Sequence, residues 1–163
     1  MTATARPSLV AAFVAAFATS VSLWWLYFDR SAEEGAEVFA ASRDPGRLGR
    51  SAYHLIHPVM VAGIIVAAAA DELVLSHPGA PVDGPTAWMV LAGPALFLAG
   101  HATFKRAVWQ VVPWTRLAAI GVLVALAALA GQLTAVWLSV VAGVVVIAVA
   151  ATDRVLATTP VPG

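Results

Sequence analysis

The sequence predicts an all-α, polytopic membrane helix bundle with about five transmembrane helices in a single domain spanning residues 1–163. Three observations carry that reading. Of 163 residues, 61% are hydrophobic and 11% charged, with a mean hydropathy of +0.87. A soluble domain is typically about 45–50% apolar and about 25% charged, so the polar surface here is too small to cover a globule in water. Apolar runs of about 20 residues, the length that crosses about 30 Å of hydrocarbon, recur between short polar breaks. The basic residues also fall almost entirely in alternate breaks.

The first span, residues 8–28, closes on Ser-Leu-Trp-Trp-Leu-Tyr-Phe-Asp-Arg. Amphipathic rings favour the headgroup level, so Trp24, Trp25, Tyr27 and Phe28 read as an interfacial belt, with Asp29 and Arg30 entering water. Arg6 and the later Ala16-Phe17-Ala18 also match a cleavable signal peptide. Cleavage there would leave an apolar stub and put an arginine-rich loop outside, so the intact span is preferred. A charged, partly helical loop is expected over 29–51, with Glu33 and Glu37 one turn apart and Asp-Pro-Gly at 44–46 as a turn.

The second span covers 52–75, or begins at Pro58 with His57 as its cap, since proline favours the first helical turn. The third covers 86–104, and Pro94 beside Gly93 is expected to kink it. The fourth and fifth, 114–130 and 133–151, are split only by Gly131-Gln132, with Gly131 as the expected helix stop. Their small residues, such as Gly121 and Gly143, suit close helix packing.

Arg30, Arg43, Arg47, Arg50, Lys105, Arg106, Arg116 and Arg154 share one side, whereas the other holds only Arg6. The positive-inside rule then places the N-terminus outside and the C-terminus in the cytoplasm. With zero net charge, nothing argues for a nucleic-acid partner. The absence of cysteine removes disulfides, thiolate metal sites and thiol catalysis. Four scattered histidines do not supply a membrane di-iron centre, and no HExxH, Walker or GxGxxG motif occurs. No enzyme activity, metal or cofactor is expected.

Trp24, Trp25, Tyr27, Phe28 and Asp29, followed by Tyr53, His57, Gly63 and Ile64, resemble the low-temperature-requirement A family of bacterial multi-pass membrane proteins. Glu72 is similar to an acid that the family carries near the outer end of the same helix. The resemblance implies a bacterial cytoplasmic (inner) membrane location and an association with growth in the cold. It also implies that the chain corresponds to the C-terminal part of a longer pattern.

Ionisable groups inside a membrane are functional candidates by default. Asp29, Tyr53, His54, His57 and His101 are expected near the cytoplasmic surface, with Glu72 near the outer one among Asp71, His77 and Asp83. Three readings of the cytoplasmic group stand. The side chains satisfy one another near water, or they line a pathway linked to protons or cations, or His57 and His101 ligate a b-type haem. The working expectation is a non-enzymatic, permease-like module for a small solute or cation. Its rival is a structural module in the lipid bilayer that assembles with itself or with further transmembrane helices.

Overall fold

The computed structural model describes residues 5–28, 38, 44, 46 and 49–158, of which 5–6, 51–53 and 156–158 by backbone alone. Asp29 and most of the loop expected over 29–51 lie outside the described residues, as does the side chain of Tyr53. Five α-helices follow one another among the described residues: α1 (Ala5–Phe28), α2 (His57–Ser76), α3 (Gly84–Trp109), α4 (Trp114–Leu126) and α5 (Ala135–Thr158). Among the described residues the only β pairing is one isolated bridge, Pro81 to Thr134. Four helices among the described residues are long and apolar enough to cross a membrane; Trp114–Leu126 is shorter.

Apolar side chains cover the outside as well as the core. Val10, Phe13, Val14 and Phe17 of α1, Ile65 of α2, Val124 of α4 and Val144 of α5 are all exposed. So much contiguous apolar surface is out of place in water and ordinary against lipid tails. Exposed tryptophans mark both ends of this surface. Trp24 and Trp114 sit at the end carrying the basic residues, and Trp88 and Trp137 sit at the other. That is the distribution of interfacial belts.

α3 is the central helix and touches each of the other four. Its tightest partner is α2. A methyl added at Gly63 would lie 2.5 Å from the backbone nitrogen of Phe97, and one at Gly93 would lie 2.6 Å from that of Ala67. Gly63 and Ala67 are four residues apart on α2, so they form a small-xxx-small stripe that lets two backbones meet. Phe97, Leu98, Met60 and Leu123 fill the core around this contact.

The helix ends explain most departures from the expected boundaries. α2 is preceded by a π-helical turn, Arg50–Ile56, so the chain is already helical before Pro58. Ile56 holds the N-cap position with helical dihedrals, and His57 is the first α-helical residue rather than the cap. α3 starts earlier than expected because Asp83 accepts a hydrogen bond from the Thr86 N–H at 2.8 Å. It continues through Pro94 to Trp109 and stops where Gln110 turns left-handed (φ 59°), its N–H bonding to the Arg106 carbonyl.

α4 is shorter than the expected 114–130. It closes at Ala127, and a 3₁₀ turn, Ala130–Gln132, takes up the remainder, so Gly131 lies inside that turn and does not stop α4. At 1.5 Å per residue, 13 residues reach only about 20 Å. The connection that follows is fixed to the α2–α3 loop: Val82 N–H bonds to Leu133 O (3.2 Å) and Ala135 N–H to Ala80 O (3.1 Å).

Candidate functional site

Polar side chains from all five helices gather at the basic end of the bundle. α1 contributes Trp25 and Tyr27 from its last turn, and α2 contributes His57 from its first. The Tyr27 hydroxyl lies 3.4 Å from His57 Nδ1, and the two rings are 5.5 Å apart. The aromatic run therefore divides by helix face. Trp24 and Phe28 are exposed, whereas Tyr27 turns toward His57 and Trp25 stacks under the Arg154 guanidinium, 4.2 Å from the ring centre.

The centre of the group is an ion cluster between α3, α4 and α5. Arg116 is 2% exposed and grips Asp153 with both terminal nitrogens: Nη1 donates to Oδ1 at 2.7 Å, and Nη2 donates to Oδ2. Lys105 Nζ lies 3.8 Å from Asp153 Oδ2. One carboxylate thus serves two cations. A guanidinium can be buried this deeply because its planar fork matches a carboxylate at two points.

His101 lies beside this cluster on α3, with Arg116, Lys105 and Asp153 as its charged neighbours. It is 2% exposed, its ring centre is 5.9 Å from that of Phe97, and neither ring nitrogen has a hydrogen-bond partner among the described residues. Imidazole ordinarily uses both nitrogens, and a buried polar group without partners is costly. His101 is therefore the side chain here with the most unused hydrogen-bonding capacity.

The candidates drawn from the sequence separate into groups. His57 meets Tyr27 at the α1–α2 junction, whereas His101 belongs to the α3–α4–α5 ion cluster. His54 is exposed. It lies in the π-helical turn, whose wider i→i+5 winding leaves residues three apart at a wider angle from one another than an α-helix does. At the opposite end Glu72 is exposed, and its neighbour Asp71 is half-buried toward the bundle. Arg116 and Asp153 were not singled out from sequence. The available signal was an acid, Asp153, at the end of an apolar run and next to a base, the same Asp-Arg pair that follows Phe28. Among the described residues, no group of three or more His, Asp or Glu side chains is arranged to hold a metal ion.

Long apolar helices packed through glycine, a lipid-compatible exterior and tryptophans at both ends define a polytopic helical membrane protein. The chain belongs to the bacterial low temperature requirement A protein (LtrA) family, whose sequence pattern matches residues 2–151. An uncharacterized protein of Rhizobium meliloti (strain 1021) is 31% identical over 109 residues, covering 67% of this chain and 27% of that relative. The chain thus spans about a quarter of the length of the curated relative it matches. No solved structure matches it.

Proposed function

We propose that this chain is a non-enzymatic, permease-like module of the bacterial cytoplasmic membrane that moves a small solute or cation, with its N-terminus outside and C-terminus inside. The observation that carries the reading is the buried group at the basic end: His101 with two unused ring nitrogens beside an Asp153 shared by Arg116 and Lys105. Ionisable side chains at such depth are expensive and characteristically mark ion or proton pathways. The basic end faces the cytoplasm because lysine and arginine are retained there.

The test is solute uptake and proton movement in proteoliposomes of the purified protein, comparing wild type with His101→Ala and His57→Ala. Loss of flux in a folded His101→Ala protein supports the reading. Unchanged flux in both variants removes these residues from it. A second reading, a structural module that assembles with further transmembrane helices, is favoured by the alignment to only 27% of the relative. Crosslinking in native membranes to a co-expressed segment of such a relative distinguishes the two.

A further inference from the structure

Away from the basic end, four helices border a small, partly open cavity that the proposed site does not use. Thr19 of α1, Asp71 of α2, Val90 and Pro94 of α3, and Ser139 and Gly143 of α5 border it, with alanines between them. It has room for about one water-sized sphere. Asp71 stands five residues before the end of α2 and Ser139 four residues into α5. This places the cavity in the half of the bundle opposite the ion cluster.

Its walls are apolar except for a set of oxygens. Thr19 and Ser139 are 8% and 7% exposed, and neither hydroxyl has a hydrogen-bond partner among the described residues. Asp71 likewise has neither a hydrogen bond nor an ion pair there. Pro94 brings no N–H, so the carbonyl of Val90, four residues earlier on the same wall, lacks its helical donor. Gly143 makes the approach possible: a methyl at that position would lie 2.5 Å from Thr19 Oγ1. The residues bordering the cavity therefore carry one carboxylate, two hydroxyls and one carbonyl without its helical donor, and none of them has a basic or nitrogen-bearing side chain.

We infer that this cavity binds a monovalent metal cation of sodium size, stripped of most of its water. Oxygen-only ligands select hard cations. A single carboxylate in low dielectric balances one positive charge, whereas a divalent ion would remain under-compensated. The room excludes any organic solute. Backbone carbonyls freed from helical bonding are also a recurring way for membrane proteins to coordinate such ions. The inference deepens the permease-like reading by naming its solute class, and binding is measurable apart from transport.

The experiment is thermal unfolding of the purified protein in detergent, in chloride salts of sodium, potassium and choline at equal ionic strength. It is repeated on Asp71→Asn and on Ser139→Ala, and the fold of each variant is checked by circular dichroism in choline. Sodium at a hundredfold excess over Kd should raise the wild-type Tm by about 5–10 °C above choline. The rise should vanish in Asp71→Asn and shrink in Ser139→Ala. No sodium-specific rise in wild type, or an equal rise in Asp71→Asn, overturns the site. Sodium stabilisation without labelled-sodium uptake in proteoliposomes upholds the site and counts against the permease reading instead.

Discussion

Arg116 and Asp153, 37 residues apart in the chain, are joined by a two-point guanidinium–carboxylate contact that ties the start of α4 to the end of α5. α4 is the shortest of the five described α-helices at 13 residues, so this contact anchors the element least able to hold itself across a bilayer. Lys105 brings α3 to the same carboxylate.

Removing one member of this pair should therefore cost more than removing both. Asp153→Asn leaves a 2%-exposed guanidinium without its counter-charge, and a broken buried pair costs about 3–5 kcal/mol. Arg116→Met should cost less, because Lys105 still faces Asp153 at 3.8 Å. The double variant Arg116→Met/Asp153→Leu should be more stable than Asp153→Asn, since apolar replacement of a whole buried pair is often neutral. Reversible unfolding in mixed micelles, analysed as a double-mutant cycle, checks the order.

The α2–α3 contact should tolerate no added carbon. Gly63→Ala places a methyl 2.5 Å from a backbone nitrogen that has no rotamer with which to move away. A loss of about 1–3 kcal/mol is expected, with more for Gly63→Leu. Gly121 on α4 has nothing within 4 Å of the same methyl, so Gly121→Ala should be neutral or should gain up to about 1 kcal/mol from helix propensity. Equal effects at both positions would contradict the close backbone approach.

Hydropathy was enough to order the helices, because lipid imposes a spanning length on four of them. It failed at their ends and on their faces. Asp153 falls just beyond the expected fifth span, yet lies inside the helix, where it meets a partner that follows Pro113 by three residues; neither fact is written in local hydropathy. Asp71 and Glu72 show the second failure. α2 is apolar around nearly its whole circumference, so no stripe reveals which of two adjacent acids turns inward. The Tyr27–His57 junction was foreshadowed only in part: both residues belong to the family resemblance, but their contact, 3.4 Å from hydroxyl to Nδ1, joins residues 30 apart on two helices.

Acid should weaken the start of α3. Thr86 holds the Asp83 carboxyl below its ordinary value of 3.8, through its hydroxyl and through its backbone N–H. A lowered folded-state value means that the cap stabilises above the ordinary value and is lost as pH falls through the folded one. Asp83→Ala should therefore lower Tm at pH 7, and the gap to wild type should close as pH drops below about 4. The group is solvent-facing, so the gap will be modest and reduced by salt. Tm against pH for both proteins checks it, and a gap that widens in acid would reverse the assignment.

Tyr27 and His57 should matter more for function than for stability. Their contact is long at 3.4 Å, beyond the usual hydrogen-bond range, so Tyr27→Phe should cost less than about 1 kcal/mol. If the proposed pathway also passes His57, this junction, where α1 and α2 meet the basic end, lies on it. Tyr27→Phe and His57→Gln should therefore alter flux at unchanged Tm, and their combined effect on flux should fall short of the product of the two, as for residues acting as one unit. Flux assays on the two single variants and the double variant, each matched for Tm, decide it. If flux holds in all three, the Tyr27–His57 pair is a packing contact and the pathway does not pass it.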